Sequence, residues 1–489
     1  MGKLLGSLAL VLAALFVLVL LLPDDEEPAD PPQSSAVQTE QLSAVSFPED
    51  MVREKQTVLR GGGEDTVTVL IYMNGSDLES DGAGATADLC EMLEADISDQ
   101  VNVLVETLGT RRWSKKLGIA ADRSQRYRAA DGKLTLVDDS LGQLDATAPE
   151  TLTDFIRWGA ANYPADRYFL LFWDHGAGPV YGFGYDEHQP EDAELTVDEI
   201  QTAVKDGGVY FDVIGMDCCI MSSLELCCAL YNYCDYMILS EDFESQYGWE
   251  YTGWLNALSE NTSIPTPELG RILVDDMVED NERRDGGSST LALIDESYMK
   301  VLYTAWVDFA YANEDALLGK NYSMPVRGGR RAHPRLRMVR DASSMADYYI
   351  TDIMAVAQNI ASPEAEALSA AVSLAVNYFN CSYDEIGMTG LSVTLPYGDE
   401  DFYDALTRVF TGAGLDGDYV TWLGKFTDGC DSYYDYDPWY EEDWQGWDDY
   451  EDDFDWLDWL FFDDEDYWED DDWDDWDCWE YDWDDGCYA

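Results

Sequence analysis

Two side chains in this 489-residue chain stand where a sequence can arm them for covalent chemistry, His175 and Cys219. His175 follows the apolar run at 168–173, and Gly176 and Gly178 come directly after it. Glycines there let a ligand approach the backbone closely. Cys219 follows a second apolar run, at 211–216, one residue past Asp217 and Cys218. A helical pattern over 221–231 begins behind it. That would put the thiol at a helix N-terminus, where the positive end of the dipole favours the thiolate. A thiol beside an imidazole is the nucleophile-plus-base pairing of covalent catalysis. Of the three histidines, His175, His188 and His333, only His175 follows a buried-strand pattern. By residue pattern alone the pair is weak, because a cysteine or histidine after a strand is more often a packed structural residue.

The elements that must carry these residues are legible around them. Short β-rich apolar runs at 67–73, 101–107, 168–173, 211–216 and 236–240 have the length and content of strands buried on both faces. Helical patterns at 89–97, 151–161, 197–204 and 221–231 fall between them. Alternating strands and helices predict a mostly parallel sheet with helices on both faces, an α/β/α three-layer sandwich. Further strands are expected at 290–295 and 391–396, and further helices at 299–312 and 350–360. In an open α/β sheet, sites form beyond the carboxyl ends of the strands. Adjacent parallel strands would bring His175 to Cys219 there.

The strings around both residues resemble those of the clostripain family, within the caspase-like group of cysteine peptidases. Asp174-His175-Gly176-Ala177-Gly178 looks like that family's histidine motif. Asp217-Cys218-Cys219-Ile220-Met221 looks like its nucleophile motif, with Cys218 where the family usually has Ala. Supporting matches are Tyr72 to Glu79, Leu195 to Glu199, Ser240-Glu241 with Gly248 to Tyr251, and Gly390 to Pro396. The resemblance implies a caspase-like fold and endopeptidase cleavage after Arg, then Lys. It makes Cys219 the nucleophile and His175 the general acid/base. The backbone N–H groups of Gly176 and Cys219 would bind the oxyanion, and Asp217 would pair with the basic substrate side chain. Two alternatives stay open: Cys218 as the nucleophile, and Asp217 as a cap of the following helix. The family's usual internal processing segment, between the two motifs, holds one basic residue here, Lys205, at the end of a predicted helix. Other basic sites are Arg60 before three glycines, Arg283-Arg284, and six arginines between Arg327 and Arg340. Arg60 or the Arg327–Arg340 cluster is expected as a self-cleavage or self-blocking site, the alternative for the cluster being a solvated loop that pairs with the acidic tail.

Charge and composition set the surroundings. With 100 Asp and Glu against 28 Lys and Arg, the net charge is -72, which disfavours nucleic acid and anionic lipid as partners. Cationic partners fit: basic peptides or proteins, or a divalent metal. An apolar run over 4–22 after Lys3, followed by acidic residues, reads as a signal anchor or signal peptide, placing the bulk of the chain outside the membrane. Residues 23–64 read as a linker rich in Pro, Ser and acid. Residues 65–429 have globular composition. The tail, 430–489, interleaves acids with Trp, Tyr and Phe and is expected to be disordered. Its carboxylates could gather Ca²⁺, on which the resembled family often depends, although no EF-hand loop is present. The ten cysteines lack zinc-site spacing. No organic cofactor is implied. A non-enzymatic surface protein binding basic peptides or calcium through the tail is the alternative reading, and a metal-dependent hydrolase fares worse without an HExxH string.

Overall fold

A computed structural model of the chain describes residues 47–189, 194–284, 289–318, 349–383, 387–396 and 398–427. The apolar run at 4–22, His333, the arginine cluster and the acidic tail lie outside these residues.

Nine strands form one sheet. In chain order they are β1 (Val67–Asn74), β2 (Val101–Leu108), β3 (Gln125–Ala130), β4 (Lys133–Asp138), β5 (Arg167–Trp173), β6 (Phe211–Asp217), β7 (Cys234–Leu239), β8 (Thr290–Asp295) and, after the short β9 (Ile350–Asp352), β10 (Val376–Cys381). Their spatial order is β10-β8-β7-β6-β5-β1-β2-β3-β4. The five central strands run parallel, and both flanks are antiparallel. β9 pairs separately with β11 (Ser392–Thr394).

Every residue of β1 is buried, as its unbroken apolar run requires. Val67, Val69, Ile71 and Met73 face one core, and Leu70 and Tyr72 face the other. The period of two thus feeds two hydrophobic layers. Helices Gly84–Glu94, Tyr251–Glu260 and Thr266–Arg284 cover the first face. Helices Pro149–Asn162, Val197–Gly207, Leu224–Leu230, Met299–Ala312 and Pro363–Ala375 cover the second. The architecture is therefore the expected α/β/α sandwich, parallel at its centre.

Local readings differ in informative places. Residues 350–360 split into β9 and the helix Ile353–Gln358, because Asp352 caps that helix by accepting from Ala355 N–H at 2.7 Å. Arg283 and Arg284 end the helix Thr266–Arg284, where basic side chains complement the dipole, and do not lie in a loop. The described part of the expected linker, 47–64, lies along the edge where the parallel strands begin. Arg53 binds Asp235 at 3.2 Å and the Cys234 carbonyl at 2.7 Å, Lys55 lies 3.8 Å over the Tyr236 ring, and Gly63 N–H donates to Ser263 at 2.9 Å.

Candidate active site

The sheet register sets the site. Met73 of β1 pairs with Trp173 of β5, and Trp173 pairs with Asp217 of β6. His175 and Cys219 each lie two residues past a matched pair. They leave neighbouring parallel strands at the same carboxyl edge, where α/β sites form. The Gly176 backbone runs against the Cys219 backbone: a Cβ on Gly176 would lie 2.1 Å from the Cys219 carbonyl oxygen and 3.1 Å from Cys218 Sγ. Only glycine fits this crossing.

The turn behind the thiol is built differently from a plain helix start. The helix begins at Leu224, with Ser223 as its cap accepting from Leu226 N–H at 3.3 Å. Cys218 to Ile220 form a turn ahead of it, so the expected helix dipole does not act on Cys219 directly. Ile220 has φ 51°, a left-handed conformation unusual for a β-branched residue. Such strain costs on the order of 1–3 kcal/mol and persists where surroundings hold it. Here Ile220 N–H donates to Asp242 O at 2.9 Å and Ser222 N–H to Ser240 O at 2.7 Å. Behind them, Ser222 Oγ donates to Gly390 O at 2.6 Å, while buried Glu241 accepts from Gly390 N–H at 2.6 Å and Ser392 Oγ at 2.9 Å. These contacts explain why the strings at 240–241 and 390–396 accompany the cysteine string: they brace its turn.

The two cysteines differ. Cys219 is partly exposed, and its Sγ accepts from Glu244 N–H at 3.3 Å. Cys218 is buried, and burial pushes its thiol well above the ordinary range.

His175 is partly exposed, and its Nε2 lies 2.8 Å from Asp77 Oδ1. Burial opposes its charged form, but the hydrogen bond that its ring N–H donates to Asp77 and the carboxylates of Asp174, Asp77 and Glu194 prevail, so its pKa is raised. Asp77 lies inside the string at 72–79, but sequence reading gave it no role. The histidine side chain of His188 instead lies 3.1 Å from the buried Asp186 carboxylate within its own turn.

Asp217 is buried under the thiol turn. It accepts from Trp249 N–H at 3.1 Å and Tyr251 O–H at 2.8 Å, and does not cap the following helix. Gly248, at φ 57°, lets its loop close over the carboxylate, since a Cβ there would be 2.7 Å from Asp217 Oδ1. Burial raises the Asp217 carboxyl to about 7. Glu244, to which sequence reading gives no role, is raised well above the ordinary carboxyl range by burial and by the neighbouring Asp217 carboxyl. Glu244 Oε1 is buried without a hydrogen-bond partner. Behind them Asp88, bound by Trp173 Nε1 at 2.5 Å, is likewise raised by burial and by its acidic neighbours Glu91 and Asp217. Asp217 and Glu244 thus lie beside the Cys219 turn with Asp88 behind Asp217, and among the described residues no cation is hydrogen-bonded to any of the three.

Arg60 lies at the opposite edge, paired with Asp166 just before β5. A seven-residue strand separates that edge from the site, roughly 20 Å. Lys205 lies in the last turn of the helix Val197–Gly207. Among the described residues no group of three or more His, Cys, Asp or Glu is arranged to hold a metal ion.

A parallel-centred α/β sandwich with a thiol and an imidazole at one carboxyl edge defines a class of cysteine-dependent hydrolases. Residues 71–394 match the clostripain family, peptidase family C11, and the chain belongs to it: it is a cysteine peptidase. The chain is similar in fold to a secreted C11 cysteine protease from Bacteroides thetaiotaomicron in complex with an irreversible peptide inhibitor. The identity is 17%, the TM-score is 0.53, and 72% of this chain and 99% of that one are covered. A second structure of a secreted C11 protease from that organism, "iotapain", gives 16%, 0.51, 74% and 99%. An inactive zymogen C11 protease from Parabacteroides distasonis gives 18%, 0.50, 74% and 97%. No curated protein matches the chain.

Proposed function

We propose that the protein is an endopeptidase that cleaves after Arg, and next after Lys, with Cys219 as nucleophile and His175 as general acid/base. The observation that carries the reading is the acid set beside Cys219: Asp217, buried under the thiol turn, and Glu244, whose N–H donates to the Cys219 sulfur and whose Oε1 is buried without a hydrogen-bond partner. A buried, unpartnered carboxyl oxygen is costly and invites a cation. A guanidinium, with its forked donors, fits two carboxyls better than an ammonium, hence Arg before Lys.

In the first half-reaction the Cys219 sulfur bonds to the scissile carbonyl carbon. The N–H groups of Gly176 and Cys219 take the oxyanion, the C–N bond breaks, and the imidazolium of His175 gives its proton to the leaving amine. In the second, neutral His175 takes a proton from water, the hydroxyl bonds to the acyl carbon, and the C–S bond breaks to return the thiolate beside the restored imidazolium, the acid product losing its proton to solvent. Cys218, buried and held protonated, packs behind the turn.

The N-terminal apolar run places the peptidase outside the membrane, by an anchor or a removed signal. The similar Bacteroides thetaiotaomicron proteases are described as secreted. Among the described residues no helix is long and apolar enough to cross a membrane, and the run at 4–22 lies outside them. No step above passes through calcium.

Hydrolysis of fluorogenic peptides ending in Arg, Lys or Asp, with and without Ca²⁺, tests the reading in the full chain and in Cys219→Ala. Arg cleavage that vanishes in the variant supports it. Equal cleavage of the Asp peptide, or activity that survives in the variant, overturns it.

A further inference from the structure

Three neighbouring strands deliver three residues to one edge. β6 ends at Asp217 and leads to Cys219, β5 ends at Trp173 and leads to His175, and β1 ends at Asn74 and leads through Gly75 into the one-turn helix Ser76–Ser80 that carries Asp77. We propose that Asp77 is a positioning residue for the peptidase reaction: its carboxylate holds His175 by Nε2 and leaves Nδ1 as the nitrogen that serves Cys219. The proposal rests on the Cys219–His175 reading above.

Several observations show that the turn carrying Asp77 is built around the histidine and not merely near it. Asp77 Oδ1 lies 2.8 Å from Nε2. The residue before it, Ser76, is held at φ 43°, in the left-handed region that a serine seldom occupies. What holds it there is Asp174, the residue directly before His175. Buried Asp174 accepts from Ser76 Oγ at 2.6 Å, from Tyr185 N–H at 2.7 Å and from Asn74 Nδ2. The carboxylate of Asp174 thus ties the β1 turn to the β5 turn, and the carboxylate of Asp77 then meets the imidazole. Backbone strain next to a reactive group, fixed by a buried acid, marks a position the fold holds deliberately.

The chemistry follows from the pairing. A carboxylate on Nε2 keeps the proton on that nitrogen in the neutral ring and leaves Nδ1 with its lone pair. It also stabilises the imidazolium that protonates the leaving amine. Among the described residues, the charged groups acting on His175 are Asp77 from the β1 turn, Asp174 at the end of β5 and Glu194 ahead of the helix Val197–Gly207, and the β6 turn that carries Cys218 and Cys219 packs against the neighbouring Gly176. The surrounding carboxylates all favour the charged ring. Removing Asp77 removes the one that hydrogen-bonds it.

With three histidines in the chain, His175 can be followed by nitrogen NMR of ¹⁵N-histidine-labelled full-length protein in detergent, with His188→Gln used for assignment. The native neutral ring is expected as the Nε2–H tautomer, with a titration midpoint above the ordinary ~6.5. In Asp77→Asn the midpoint falls. The basic limb of the pH profile of kcat/KM, where the imidazolium is lost, moves to lower pH with it. The kcat falls by roughly 10²–10⁴-fold with KM little changed, and Asp77→Glu restores part of it. A native His175 in the Nδ1–H tautomer, or a midpoint unmoved by Asp77→Asn, overturns the proposal. Because the NMR readout needs no substrate, it decides the Asp77 question even if no peptide is cut. Activity surviving in Cys219→Ala would instead refute the site assignment, whatever His175 does.

Discussion

Replacing Asp217 by Asn should stabilise the protein in alkaline solution and destabilise it in acid. The folded chain holds the Asp217 carboxyl at about 7 against an ordinary 3.8, chiefly through burial. Between those values the folded state keeps a proton that the unfolded state has released, so stability falls as pH rises through the window and the whole penalty is present at pH 8. At ~1.4 kcal/mol for each pH unit of the window that penalty is a few kcal/mol, and Glu244, raised by the same burial, retains part of it in the variant. Against this, an amide oxygen replaces a carboxyl that accepts from both Trp249 N–H and Tyr251 O–H, at a loss of about 1 kcal/mol. The net expectation is about 1 kcal/mol more stability than native at pH 8, a rise in Tm of a few degrees. Near pH 4 only the hydrogen-bond loss remains, and the variant should melt below native. Arg-peptide cleavage should fall by roughly 10- to 100-fold, the worth of a charge-assisted hydrogen bond. Scanning calorimetry at pH 4 and pH 8 provides the assay. The same sign of ΔTm at both pH values would refute the reasoning, because it would mean that burial of the charge is not what distinguishes this carboxyl.

Other expectations are as direct. Cys218→Ala should keep most activity and lose about 1 kcal/mol of stability from the small cavity, measured by denaturant unfolding alongside peptide hydrolysis. Gly176→Ala should reduce kcat/KM by at least ~10²-fold, because its Cβ would displace the Cys219 backbone and with it the oxyanion donors; steady-state kinetics with Arg peptides would show it. Arg167→Ala, which strands the buried Asp212 carboxylate now 2.7 Å from its guanidinium, should cost about 3–5 kcal/mol in urea unfolding. Trypsin should cut after Arg60 in the inactive Cys219→Ala variant, since 61% of that side chain is exposed. Self-cleavage there should depend on protein concentration, because the site lies at the far edge of the same molecule's sheet.

The central layer was legible because its strands are buried on both faces. β1, β2, β5, β6 and β7 show as apolar runs, and two consecutive runs lead straight to His175 and Cys219. The flanks were not legible, for the opposite reason. β3 reads Gln-Arg-Tyr-Arg-Ala-Ala because its buried Arg126 is neutralised by Glu106, 2.7 Å away on β2, a pairing no local pattern reveals. β4 is an exposed edge, with Leu136 and Val137 facing solvent. The helix Thr266–Arg284 is so rich in acid that its buried stripe of Leu269, Leu273, Val274, Met277 and Val278 does not stand out in the sequence. The same limit applies to the site. Asp77 and Glu244 reach His175 and Asp217 only through strand order and loop closure, so their roles are properties of the fold. Glycine at 176 and 248 was a usable signal, since each stands where another backbone or carboxylate comes too close for a side chain.

The central claim, a Cys219 nucleophile served by an acidic pocket, is tested most directly by covalent labelling. The full-length protein is treated with matched peptidyl chloromethyl ketones ending in Arg or Asp, and the modified residue is located by mass spectrometry. The expected result is one adduct, on Cys219, formed far faster by the Arg reagent and suppressed in Asp217→Asn. An adduct on Cys218, or equal rates with the two reagents, would contradict the account.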